Sequence, residues 1–135
     1  MSNVSYMSAS AEVQKIDYWF GLSGSLLSGE DVAKHLFAAA DLMRSQVWDP
    51  QLYGLGSDRQ IRDALRHTAM DGHGDADTVY VARQVMEAAL RATTGARYVD
   101  CEVWAEKPQR TLDEILHLLK ASASLARFFG PRITA

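Results

Sequence analysis

The chain holds a single cysteine, Cys101. No intramolecular disulfide framework is possible, and the composition fits a reducing compartment. Proline is scarce, with three residues at positions 50, 108 and 131. Long hydrophobic runs are missing. The longest apolar stretch near the N-terminus, Tyr18 to Leu27, is broken by two glycines and two serines, and is too short and polar for a membrane span. No positively charged segment precedes it, so the pattern of a signal peptide is lacking and a cytoplasmic location is expected. Charge of one sign is not in large excess. The net charge of −3 offers no electrostatic reason for nucleic acid or an anionic membrane as the main partner. Gly21, Gly24 and Gly29 are too widely spaced for a dinucleotide fingerprint, and no P-loop or nucleophile elbow occurs. No cofactor is expected.

What is present is a globular composition, 47% hydrophobic and 23% charged, in a chain long enough to bury one core. The clearest local signal lies near the C-terminus. Trp104 and Pro108 close an extended segment, and Arg110-Thr111-Leu112-Asp113-Glu114 opens a helix with a capping box. Leu112, Ile115, Leu116, Leu119, Ala123 and Ala126 follow at helical spacing, and Gly130-Pro131 ends the helix.

Three further helices are predicted. The first starts at Ser28 or Gly29 with a stripe of Val32, Leu36, Ala39, Ala40 and Met43, and Asp49-Pro50 stops any continuation. Ser57 caps the second, with Gln60 at capping-box spacing, Ile61, Ala64, Leu65, Thr68 and Ala69 facing inward, and Gly72 as the stop. The third runs from about Asp77 to Thr93, burying Val79, Ala82, Val85, Met86, Ala89 and Leu90 before Gly95. Residues 11–20 read as a short helix or an aromatic-rich extended piece, and residues 21–29 as a turn-rich connector. Tyr98 to Trp104 alternates like a β-strand. The expected architecture is mainly α: a compact bundle of four to five helices with one short extended segment near 98–104. A flexible arm over residues 1–10 precedes a single domain over 11–135.

Three groups of residues invite a functional reading. His67, Asp71, His73 and Asp75 form the one local cluster of metal-capable side chains, with chemistry that suits a divalent ion. The cluster fails as a calcium loop because the glycines fall at the wrong offsets and Ala82 sits where a bidentate carboxylate is needed. Its plainer reading is a helix–helix connector in which Asp75 or Asp77 caps the next helix. His35 and His117 can join it only through tertiary contacts. Arg59, Arg62 and Arg66 share one face of the second helix, but Asp58, Asp63 and the acidic turn that follows argue against phosphate contacts. A solvated or partner-facing surface fits them better. Tyr18-Trp19-Phe20, ahead of a glycine-serine run, is the candidate docking element, since aromatic residues and arginine concentrate at interface hot spots. Trp48, Tyr53, Trp104, Phe128 and Phe129 stand near helix ends and suit core closure. Cys101 reads as a small buried hydrophobe rather than a reactive thiol.

The order of these features resembles a small uncharacterised helical family of actinobacteria and their phages. An alanine-rich helix, Val32 to Ala40, leads to Trp48. A helix around Ile61-Arg62-Asp63-Ala64-Leu65 follows, and Trp104 precedes the helix start at Arg110 to Leu116. The resemblance covers roughly Val32 to Leu125. It departs where a Cys-Ala-Leu-Gly-Ala-like stretch is expected after the first tryptophan, because Ser57 to Asp63 offers nothing similar. It implies a phage or phage-derived accessory protein acting in a host cytoplasm. With no catalytic motif present, the expected activity is non-enzymatic binding of a host protein or of a second copy through Tyr18, Trp19, Phe20, Arg59, Arg62 and Arg66. The alternative is a metal-binding protein or metal-dependent enzyme using His67, Asp71, His73 and Asp75.

Overall fold

A computed structural model of the chain describes residues 9–45, 60–105, 107 and 110–132. Trp48, Pro50, Tyr53, Ser57, Arg59, Pro108 and most of the expected N-terminal arm lie outside the described residues, as does the side chain of Arg62. Residues 9–13 are helical, and a 3-10 turn, η1, spans Ile16–Trp19. The α-helices are α1 (Gly29–Ser45), α2 (Gln60–Met70), α3 (Ala76–Thr94), α4 (Cys101–Ala105) and α5 (Leu112–Phe129).

The helix ends follow from local chemistry. Ser28 Oγ accepts from the Asp31 N–H at the start of α1. Asp75 caps α3 in a reciprocal box with Thr78, and Thr111 caps α5 in the same way with Glu114, each satisfying orphan first-turn donors. Gly95 closes α3 in the left-handed region at φ 74°, which costs a residue without a Cβ little.

The apolar stripes turn inward as their spacing requires. Val32, Leu36, Ala39, Ala40 and Met43 of α1 are buried, as are Ile115, Leu116, Leu119, Ala123 and Ala126 of α5. Helix α1 lies at the centre of the molecule, packing most extensively on α5 and also on α2 and α3, while the short α4 rests on α2 and α3. Small side chains let α1 and α5 approach closely. The bidentate Arg127–Glu30 pair, 2.9 Å for both bonds, clasps the end of α5 to the start of α1, and each charge complements the helix terminus it sits on.

Two expectations are corrected. Residues 101–104, predicted as the end of the strand over 98–104, lie in the helix Cys101–Ala105 because the Asp100 carboxylate accepts from the Glu102 and Val103 N–H groups at 2.8 and 3.2 Å, a side-chain cap that competes with extended backbone. Ala9 and Ser10, assigned to the flexible arm, are helical and buried. Cys101 is buried as expected. No helix among the described residues is long and apolar enough to cross a membrane.

Candidate partner interface

Tyr18, Trp19 and Phe20 cannot share one face. Successive residues of a 3-10 turn are rotated by roughly 120°, so Trp19 points away from Tyr18, while Phe20 follows in extended backbone after η1. Trp19 takes the core, with 0% of its surface exposed, and its indole N–H donates to the Val13 carbonyl at 2.6 Å. Trp19 is therefore not a surface residue, which corrects the expectation that it contributes to docking.

Tyr18 is half-buried. Its hydroxyl donates to the Glu12 carboxylate and accepts from Arg91 at 2.8 Å. That hydrogen bond, with Lys15 and Arg91 close by, holds the Glu12 carboxyl below the usual carboxylate range. Burial pushes the Tyr18 hydroxyl above its ordinary value, and the bond to Glu12 adds to the effect.

Phe20 is exposed and begins a small turn. It pairs with Leu26 in an isolated antiparallel bridge, and the turn between them presents Leu22 to solvent at 72% exposure. The neighbouring Ser23 is tied to α3, its N–H donating to Asp77 Oδ1 at 3.0 Å and its hydroxyl to Asp77 Oδ2. These bonds hold the Asp77 carboxyl below its usual range.

Leu22 forms one wall of a shallow groove of about 440 Å³. The other walls are Arg66, Ala69 and Met70 from the last turns of α2 and Ala76, Val79, Tyr80 and Arg83 from the first two turns of α3. Met70 is 78% exposed. Tyr80 also borders a second depression, with Tyr18, Phe20, Arg91, Arg97 and Tyr98, and Tyr98 is 86% exposed. The two depressions together gather Phe20, Leu22, Met70, Tyr80 and Tyr98 among four arginines and the carboxylates of Glu12 and Asp17, and aromatic residues, Met and Arg are types enriched at protein interfaces.

Of the sequence-predicted site, Tyr18, Phe20 and Arg66 border these depressions, Trp19 does not, and Arg59 and the Arg62 side chain lie outside the described residues. Leu22, Met70, Tyr80 and Tyr98 escaped sequence reasoning. Tyr80 carried a usable signal, because it lies off the stripe formed by Val81, Ala82 and Val85. Tyr98 was hidden by its assignment to a strand.

The proposed metal ligands do not converge. Among the described residues, Glu87, Asp100 and Cys101 are the one group whose ligand atoms all lie within 4.8 Å of one another. His67, Asp71, His73 and Asp75 are exposed, and the Asp75 carboxylate is occupied in capping α3. In the other group, Glu87 accepts from the Cys101 N–H at 3.1 Å and Arg83 stands 3.8 Å from Asp100. Burial, then the Glu87 charge, pushes the Cys101 thiol up to about 12. It is held as the thiol, not the thiolate that would bind a metal or attack a substrate.

His35 is fully buried, and its Nδ1 lies 2.8 Å from the His73 carbonyl oxygen. A carbonyl only accepts, so Nδ1 carries the proton and the neutral ring leaves Nε2 as an acceptor, without a hydrogen-bond partner among the described residues. Burial holds its pKa below the ordinary 6.5. Stability from this neutral ring is complete above pH 6.5 and falls as pH drops, because the unfolded chain takes up a proton that the folded state refuses. The expected slope is about 1.4 kcal/mol per pH unit until the folded-state pKa is reached. Urea unfolding between pH 7.5 and 5.5 measures it. A His35→Gln variant with the same slope over that window would assign the effect elsewhere.

No curated protein and no solved structure matches the chain. A family match does exist, over residues 27–125. It takes in α1, α2, α3 and α4, most of α5, and the two helical walls of the groove, though not the Leu22 turn. On this match the chain belongs to DUF6197, a family of unknown function.

Proposed function

We propose that the chain is a non-enzymatic binding protein that engages a protein partner through the groove between α2, α3 and the Leu22 turn. One observation carries this reading: large apolar side chains from three separate segments, Leu22, Met70 and Tyr80, meet in one solvent-facing groove. Leaving them exposed has a cost that docking removes. The sequence resemblance supports the finer reading of a phage or phage-derived accessory protein that occupies a host protein's surface.

The test uses residues that the fold does not need. Met70→Glu places a charge on a side chain that is already in water, and the expected result is an unchanged circular dichroism spectrum with capture of a stoichiometric partner reduced at least about tenfold, the usual cost of losing an interface anchor. Lys120→Glu, on an exposed position of α5, serves as the control and keeps full capture. Equal capture by wild type and Met70→Glu would remove the groove from the reading. Self-association is the competing outcome, visible as a concentration-dependent mass in light scattering that Met70→Glu abolishes.

A further inference from the structure

We propose that the loop between α2 and α3 is a proton-released latch: when His35 takes up a proton, residues 71–74 lift away from α1 while the helical core stays folded. Such a latch operates whatever the groove binds.

His35 ties the central helix to the loop. The ring is fully buried on α1, and Nδ1 donates to the backbone carbonyl of His73 at 2.8 Å, across 38 residues of sequence. Little else holds the loop down. Residues 71–76 are all exposed, so the loop buries no apolar side chain. Its remaining bonds are local, from the Gly72 N–H to the Ala69 carbonyl at 3.0 Å and from the His73 N–H to the Thr68 carbonyl at 3.1 Å. Gly72 and Gly74 take positive φ values of 91° and 124°, and glycine backbone at these points can rearrange without a steric barrier from Cβ.

Protonation leaves the bond to His73 intact and acts at the other nitrogen. Nε2 of the neutral ring is a buried acceptor without a hydrogen-bond partner among the described residues. With a proton it becomes a donor on a charged ring, and a buried charge with an unmet donor is strongly unfavourable. Water relieves it by one of two routes. Global unfolding gives up the whole core, whereas lifting the loop uncovers the Nδ1 edge of the ring for a few local backbone bonds, so the loop yields first. Asp75 need not move and continues to cap α3.

The charges around the ring do not prevent this. Burial is the largest influence and opposes the imidazolium; the His73 side chain opposes it too, and the Asp75 carboxylate favours it. Along α1 the neighbouring Asp31 and Lys34 are exposed, as are His67 of α2 and His117 of α5, and Asp77 of α3 is bonded to Ser23. Met70 and Ala76 flank the loop and form part of the groove, so on the docking reading above the latch also alters the groove's shape.

The experiment is amide hydrogen exchange, followed by NMR on the full chain between pH 7.5 and 5.5, corrected for the intrinsic rate at each pH, with and without low urea. The Gly72 and His73 amides are expected to exchange through an opening that is cheaper than that of the α1 and α5 core and indifferent to low urea. That opening becomes several-fold more populated at pH 5.5, with a ceiling of about tenfold, because the uncovered ring titrates at the ordinary 6.5 and the covered ring below it. His35→Gln, which can still donate to the carbonyl but does not titrate, removes the rise. His73→Gln keeps it, since the acceptor is backbone. A loop opening that is flat with pH in the wild type overturns the latch. So do loop amides as protected as the core and rising only with it, which would mean that His35 is uncovered by global unfolding alone. A rise lost in His73→Gln and kept in His35→Gln would make the His73 ring the sensor and overturn the proposal as well.

Discussion

Trp19→Ala is expected to cost about 4 kcal/mol of folding stability, the range for removing a buried indole from a core that relaxes only in part. The ring has no exposed surface. It is also bonded: removing it orphans the Val13 carbonyl that accepts from the indole at 2.6 Å, and a buried acceptor without a donor costs about 1–3 kcal/mol by itself. The backbone carbonyl of Trp19 accepts from the Leu27 N–H at 2.8 Å, so loosening this residue also loosens the turn that presents Leu22. Trp19→Phe separates the two contributions by keeping most of the apolar bulk and losing the donor, with an expected loss of about 2 kcal/mol. Urea unfolding of both variants decides the matter. A Trp19→Ala protein within about 1 kcal/mol of wild type would mean that the ring is not the core element described here. Small domains are stable by only about 5–15 kcal/mol. An alanine scan of the whole aromatic cluster would therefore test folding before it tested binding.

Gly29→Ala is expected to lose about 3 kcal/mol and to lower the melting temperature by about 10 °C. The backbone conformation is not the reason. A Cβ at Gly29 would meet the Cα of Gly130 at 2.8 Å and the Ala126 carbonyl oxygen closer still. Both contacts are backbone, so no rotamer change relieves them. Helix propensity pulls the other way by at most about 1 kcal/mol, and less at a first-turn position, so overpacking wins. The same corner makes Gly130 equally demanding, since a Cβ there would approach Gly29 Cα and Trp19 Cη2 at 2.7 Å each. The Gly29 N–H also donates to the Pro131 carbonyl at 2.9 Å, a bond that parting α1 from α5 would break. Differential scanning calorimetry reads the shift, and an unchanged melting temperature would show that the two helix ends separate without cost.

Much of the fold was legible because its helix ends are written in side chains. Thr111 with Glu114, and Gly95 after α3, act on their own backbone neighbours, and such interactions survive in a sequence read without coordinates. The stripes of α1, α3 and α5 are long enough for their period to show. Residues 98–104 misled because Val99, Cys101 and Val103 alternate, whereas the deciding interaction is the Asp100 carboxylate folding back on two N–H groups, and five helical residues are too few to display a period. Tyr18, Trp19 and Phe20 looked like one patch only because adjacency in sequence was taken for adjacency in space. His67, Asp71, His73 and Asp75 looked like a ligand set for the same reason. The groove itself is tertiary. Leu22, Met70 and Tyr80 come from a turn and two helices, and no local pattern announces that they meet.

The Ser23–Asp77 tether has a kinetic consequence. A turn that must be ordered when a partner arrives gives up part of the association free energy as lost conformational entropy. Here the Leu22 turn is already bonded to α3, the helix that forms the opposite wall, so the receptor surface is assembled before encounter. On the docking reading proposed above, binding would then resemble rigid docking, with an association rate set by orientation rather than by a folding step of this turn.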